Sequence, residues 1–312
     1  MTSTEAPPRT AAPAPASRPR WSREGWFAAA LLVPSVLVVF GVVVYPVLRT
    51  LMISFFEVDS PIATETPFVG IGNYTEALTD PAFWRAGRQT AYFAIGSIAL
   101  ELIFGTGVAL LLNAPLRARW LFRAVVILPW ALPTIVNGAM WRQILNSQYG
   151  AFNALLTQAG ILGEYRSWLG EPFLALNMVM LSDVWKNTSL VAFLLLAGLQ
   201  SIDVNLYEAA RVDGAGPIRS FFSITLPLLV PSFAVVLVLR TIETFKVFDI
   251  IYIMTRGGPA SGTQTLTFYT YLQAFSDQRL GYGSALAYLI VSAVVALAVI
   301  YLRLMSGQGA LR

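Results

Sequence analysis

The stretch from Gly25 to Leu48, GWFAAALLVPSVLVVFGVVVYPVL, runs 24 residues without a charge between Glu24 and Arg49. As a helix rising about 1.5 Å per residue it exceeds the roughly 30 Å hydrocarbon core of a bilayer. A secretory signal carries an apolar region of only about 7 to 15 residues, so this segment is expected to remain as a spanning helix. The rest of the chain has the same character. Of 312 residues, 56% are apolar and 12% charged, about half the roughly 25% charged residues that soluble domains use. The bilayer is the expected solvent.

Working outward from that helix, low-charge runs recur and six spans are the economical count. They cover about 26–48, 88–113 with Glu101 alone inside, 124–145 with Arg142 near its end, 173–199 with Asp183 and Lys186 inside, 220–253 and 280–302. The expected fold class is therefore an all-α integral membrane protein of six transmembrane helices, because hydrocarbon requires backbone polar groups to be satisfied within each helix. Residues 1–25, rich in Ala, Pro, Thr and Arg at their start, read as a disordered tail, residues 26–304 as one transmembrane domain and 305–312 as a short C-terminal tail. Gly96, Gly105 and Gly107 are expected at helix contacts. Prolines at 34, 46, 129, 133, 227 and 231 predict bends rather than straight rods.

Orientation follows from the bias of basic residues toward inner loops. With the N-terminus inside, the inner segments hold Arg9, Arg18, Arg20, Arg23, Arg117, Arg119, Arg123, Arg211, Arg219, Arg303 and Arg312. The outer ones hold only Arg85, Arg166, Arg256 and Arg279, and the first of them is acidic, with Glu57, Asp59, Glu65, Glu76 and Asp80. Both termini are expected to be cytoplasmic.

Composition also excludes chemistry. There is no Cys and no His, which removes disulfides, thiolate chemistry, the commonest metal ligands and the commonest general base near neutral pH. Net charge is +4, but nineteen of the 21 basic residues are scattered Arg and no run forms a phosphate-tracking stripe, so no nucleic-acid partner is expected. No G-x-x-x-x-G-K-[ST] phosphate cradle occurs, and neither Lys186 nor Lys246 follows a Gly.

Two segments carry the functional reading. The first is the loop between the fourth and fifth spans, SIDVNLYEAARVDGAGPIRSFFSITLPLLVPS, Ser201 to Ser232. Leu206, Ala209, Ala210 and Val212 supply part of an apolar face, Glu208, Arg211 and Asp213 a polar one, so a short helix is expected up to Gly214. Gly214 or Gly216 then supplies a turn at positive φ, and a second short helix carries Ile218, Phe221 and Phe222. Such a pair is either a rigid knob fitted to a groove of another protein or an interfacial pair lying on lipid headgroups. The second segment holds Arg240, Glu243, Lys246 and Asp249 at three-residue steps. Facing lipid, each would cost about 2.5 to 3.5 kcal/mol, so these groups must pair with one another, face a wet cavity, or sit at the outer interface beyond a helix that ends near Leu239.

The run Glu208-Ala209-Ala210, three residues to Gly214, nine to Ile224 and then Leu226-Pro227, resembles the EAA loop of permease subunits in bacterial ABC importers. Leu239 to Glu243, Phe248-Asp249, Thr255 to Pro259, Trp185 to Thr188 and Pro67 to Tyr74 are similar to the carbohydrate-uptake branch, the maltose- and trehalose-type permeases. The chain departs from the larger maltose permease in lacking two extra N-terminal helices and a bulky outer insertion.

The resemblance implies a coupling helix over the loop 201–223, with Glu208, Ala209, Ala210, Arg211, Asp213 and Gly214 gripped by an ATPase subunit. It also implies a heterodimer with a second permease, two ATP-binding subunits that hold Mg-ATP, an extracytoplasmic solute-binding protein, and residence in the bacterial cytoplasmic membrane. This chain would hold no cofactor and no metal and catalyse no hydrolysis. By motif position Asn187 matches a sugar-contacting Asn and Leu190 falls on another contacting position, while Arg240, Glu243 and Thr244 occupy the path-lining stretch of the fifth span. The implied activity is ATP-driven import of a di- or oligosaccharide by alternating access. Glycerol 3-phosphate or a polyol is the alternative cargo, and an ion-coupled secondary transporter is the alternative class.

Overall fold

The computed structural model describes residues 23–59, 66–115 and 117–309; the expected N-terminal tail up to residue 22 and the last three residues of the expected C-terminal tail lie outside these. Contacts divide the chain into two units, residues 1–50 and 51–312. The first contains α1 (Arg23–Val38), a π-type turn over Val39–Val44 and most of α2 (Tyr45–Ile53), joined into one apolar helix from Trp26 to Ile53. Pro46 lacks an N–H and its ring crowds the carbonyl four residues back. The wider turn just before it absorbs that conflict without stopping the helix.

The second unit follows as α3 (Gly72–Thr79), α4 (Pro81–Asn113), α5 (Arg119–Ala131), α6 (Thr134–Ile144), α7 (Ala151–Gln158) and α8 (Pro172–Gln200). After these come α9 (Val204–Val212), α10 (Pro217–Ser220), α11 (Leu226–Phe245), α12 (Asp249–Met254), α13 (Leu266–Tyr271) and α14 (Leu280–Gly309). Among the described residues five helices are long and apolar enough to cross a membrane, or six if α5 and α6 form one broken span.

Three expectations need correction. The third span, expected as one run over 124–145, is two helices bent by 92°. Leu132 precedes Pro133 and is forced extended, at φ −70° and ψ 133°, so the helix cannot pass. The second short helix expected after Gly216 does not stand alone. α10, a π-type turn over Phe221–Thr225 and α11 form a single helix from Pro217 to Phe245, the wide turn again preceding a proline, Pro227. The fifth span ends at Phe245 rather than 253, and neither does it end near Leu239. The chain breaks over 246–248 and restarts as α12. A break within a membrane leaves carbonyls bare. Here Thr267 Oγ1 donates to the Phe245 carbonyl at 2.9 Å and Thr265 Oγ1 to that of Val247 at 3.1 Å.

α8 is the centre of the bundle, with 61% of its most apolar stretch buried against 33% for α4. The two run parallel, touching where Gly96 meets Met180 and Gly105 meets Val191. A Cβ on Gly105 would lie 2.6 Å from Val191 Cγ1. Lipid tails are as apolar as the side chains, so close packing at small residues drives this contact. Gly107, also expected there, faces open space. Toward the α9 end the core is Ala109, Leu112, Leu195, Leu199 and Leu229; toward the other it is Phe93, Val179, Val184, Ile250 and Phe268.

At that second end α3, α4, α13 and α14 are clasped. Asp80 caps α4 through a bond from the Ala82 N–H at 2.8 Å and accepts from the hydroxyls of Tyr269 and Tyr282. Arg279 forks onto Glu76 at 2.7 and 2.8 Å and lies over the Tyr282 ring. The α13 start is tied to α4 by Leu266 N–H donating to Thr90 Oγ1 at 2.8 Å.

Candidate functional site

Glu101, the one carboxylate of α4, is fully buried. A carboxylate there requires a cation, and α11 delivers Arg240, itself 3% exposed. Arg240 Nε donates to Glu101 Oε2 at 2.6 Å and Nη2 to Oε1 at 2.7 Å, a two-pronged pairing. Nη2 also reaches Asp183 of α8 at 2.9 Å, and Nη1 reaches Glu243, one turn further along α11, at 2.6 Å. Three spans thus meet on one guanidinium. Asp183 in turn accepts from Asn187 Nδ2 at 2.9 Å, which fixes that amide.

Charge-assisted bonds of this kind contribute roughly 1.5 to 3 kcal/mol each, and removing one partner of a buried pair costs about 3 to 5 kcal/mol because the other charge is stranded. The network therefore holds together as a whole. It also decides what Arg240 can do. Four of its contacts are spent on protein carboxylates, so it positions Glu243 and Asp183 instead of standing free for a ligand.

In front of this network lies a cavity of about 360 Å³, lined by Trp130, Thr134, Asp183, Lys186, Asn187, Arg240, Glu243, Thr244, Lys246, Phe248 and Asp249 among others. The bend between α5 and α6 places Thr134 on its wall, where Lys186 Nζ donates to Thr134 Oγ1 at 2.7 Å. The break after α11 puts Lys246 and Asp249 at its rim, both exposed. Thr244 turns its hydroxyl back onto the Arg240 carbonyl at 2.8 Å.

Of the residues expected on a substrate path, the structure brings Asn187, Arg240, Glu243 and Thr244 to this one cavity, while Leu190 is partly buried and does not line it. Lys246 and Asp249 take the wet-cavity setting that was one of three open to them, Thr134 was not expected there, and Glu101, buried behind the cavity, was not among the expected site residues. The signal for Glu101 was present, since a lone carboxylate in mid-span needs a partner and Arg240 is the arginine placed to supply it. Trp141 instead packs edge-on against Trp185 at 6.0 Å.

The second expected site is α9. Asp203 caps it by accepting from Asn205 N–H at 2.9 Å. Gly214, at φ +77°, ends it, with its own N–H on the Arg211 carbonyl and the Ala215 N–H on the Ala210 carbonyl at 2.8 Å. Tyr207 shares a 2.9 Å hydroxyl bond with Thr225, tying α9 to the foot of the helix that leads to Arg240. Glu208, Ala209, Arg211, Asp213 and Gly214 are exposed, Ala210 is half-buried, and Val212 stands 87% exposed.

Membrane-spanning helices that enclose a charged cavity, joined by one loop that presents an exposed capped helix, have the build of a transport permease. Residues 101–308 match the family described as "Binding-protein-dependent transport system inner membrane component", and the chain belongs to it. It is the transmembrane permease component of an ABC transporter, a multi-pass inner-membrane protein and not itself the ATPase. It is 39% identical to the sulfoquinovosyl glycerol transport system permease protein SmoG of Agrobacterium fabrum, over 92% of this chain and 94% of that one. It is 40% identical to the trehalose/maltose transport system permease protein MalF of Thermococcus litoralis, over 90% and 94%. A bacterial ABC transporter that imports the acidic polysaccharide alginate shares its fold, with a TM-score of 0.78 and 21% identity over 90% of this chain and 96% of that one.

Proposed function

We propose that this chain forms one side of the translocation path of an ATP-driven saccharide importer, with α9 as the element through which ATP hydrolysis is felt. The observation that carries the reading is the covalent and hydrogen-bonded line from the exposed α9, through Tyr207 and Thr225, up α11 to the Arg240 network at the cavity. A sugar leaving water needs its hydroxyls re-satisfied, and Asn187, Lys186, Glu243 and Asp249 offer donors and acceptors there. The names of the relatives, trehalose/maltose and sulfoquinovosyl glycerol permeases, support a saccharide or sugar-like cargo.

In this reading both termini and α9 are cytoplasmic. A second permease completes the cavity, two ATP-binding subunits hold Mg-ATP and grip Glu208 to Gly214, and a solute-binding protein presents the cargo outside. Closure of the ATPases on ATP favours one of two access states, because the nucleotide binds that state more tightly. The test is ATP hydrolysis by the native complex with its binding protein in vesicles. Maltose, trehalose or sulfoquinovosyl glycerol is expected to stimulate it. Stimulation by glycerol 3-phosphate or a polyol alone would contradict the cargo, and uptake that follows an ion gradient after ATP depletion would contradict the class.

A further inference from the structure

Beyond the charged cavity, on the side away from α9, aromatic residues recur on the two short elements that follow the break in the fifth span. Phe248, the last residue of the break, and Tyr252 on α12 lie four residues apart. Phe268 and Tyr271 lie on α13, and Phe275 on the π-type turn that extends it. Their rings meet across the pair, Phe248 to Tyr271 at 5.0 Å, Phe248 to Tyr252 at 5.5 Å, and Tyr271 to Phe275 at 5.5 Å. Phe268 is the buried anchor. It fits because Gly257, at φ +79°, has no Cβ, and one placed there would lie 2.5 Å from the ring.

The other four rings become more open with distance from the cavity. Phe248 forms part of the cavity wall, Tyr271 is half-buried, Tyr252 is 38% exposed and Phe275 67%. The hydroxyls of Tyr252 and Tyr271 make no hydrogen bond among the described residues. Neither hydroxyl is among the buried unpartnered side-chain atoms, so both open onto the surroundings. Rings with a polar tip suit a ligand that is apolar on one face and wet at its rim. A pyranose is such a ligand. Its axial C–H groups meet the negative face of an aromatic ring, and its hydroxyls meet the tyrosines.

We propose that Phe248, Tyr252, Tyr271 and Phe275 form a saccharide-stacking subsite that receives the sugar before the charged cavity does; the proposal rests on the saccharide reading above. The rings hand the sugar from Phe275 inward to Phe248, where Asn187 and Glu243 take over its hydroxyls.

The test uses the complete transporter, this chain assembled with its second permease, ATPase subunits and binding protein in vesicles. Maltose and trehalose bearing a photoreactive diazirine are the probes, and adducts are located by mass spectrometry. Adducts on Tyr252, Tyr271 or Phe275 that unlabelled sugar displaces are the expected result. Uptake should fall about five-fold or more in Tyr271→Leu and Phe275→Leu, less in Tyr252→Phe, and little in Phe275→Trp, which keeps a ring. Phe173→Leu, an exposed ring elsewhere on the chain, should transport at the parent rate.

Adducts confined to cavity residues such as Asn187, with both Leu variants transporting at the parent rate, would overturn the subsite and leave the saccharide reading standing. Loss of the second permease from the purified Leu variants would make the rings a packing surface and overturn it as well. A parent complex that neither imports nor is labelled by either sugar would defeat the saccharide reading itself, and the subsite with it.

Discussion

Glu101 and Arg240 are separated by 139 positions, yet Arg240 Nε meets Glu101 Oε2 at 2.6 Å. Replacing Glu101 with Ala strands part of the guanidinium and is expected to destabilise the protein by about 3 kcal/mol or more. Thermal unfolding in detergent measures this, and a melting point equal to the parent's would contradict it. Asp80 gives a residue-level test of pH. Burial alone would raise its carboxyl, but bonds from Tyr269, the Ala82 N–H and Tyr282 outweigh that and hold it below the usual carboxylate value. Burial first, and then the bond to Asp80, keep the Tyr269 hydroxyl protonated well above its ordinary range, so it remains the donor. A depressed acid stabilises the fold above its unfolded value and loses that contribution as pH falls through the folded one. Melting temperature should therefore drop as pH is lowered below about 4, and Asp80→Asn should flatten that acid limb. An unchanged acid limb in the variant would contradict the assignment.

Among elements, what the sequence made legible was what depends on local pattern. Uncharged runs located the spans, Pro133 marked the sharp bend, and Gly214 marked the end of α9, because these follow from neighbours along the chain. The break at 246–248 was not legible. Its carbonyls are satisfied by Thr265 and Thr267, about twenty residues later, and nothing near Lys246 announces them. The same holds for the site. Asn187 and Glu243 could be placed by motif, whereas the partner of Arg240 depends on how α4 packs on α8. Changing Thr265 and Thr267 together to Val leaves two backbone acceptors bare in the membrane and should cost about 1 to 3 kcal/mol for each. Retained stability and uptake in that double variant would show that water or another group satisfies the break.

At the scale of the whole molecule the account makes α9 a lever on the cavity. Gly214 has open space where a Cβ would stand, so a substitution there meets no clash and acts through backbone conformation alone. Gly214→Val forces a side chain to φ +77° at a cost of about 1 to 2 kcal/mol and redirects the end of the helix. Its effect should fall on coupling, with the variant inserting normally and its complex hydrolysing ATP without matching uptake. Normal uptake would count against the lever.

The most direct measurement uses the absence of native cysteine. A single Ala209→Cys, carrying a short photoactivatable cross-linker, is the chain's one reactive thiol. In the native transporter the account predicts a cross-link to an ATP-binding subunit that changes in yield when ATP is trapped. A label that reaches lipid alone, with or without nucleotide, would contradict the claim that α9 joins this chain to its source of energy.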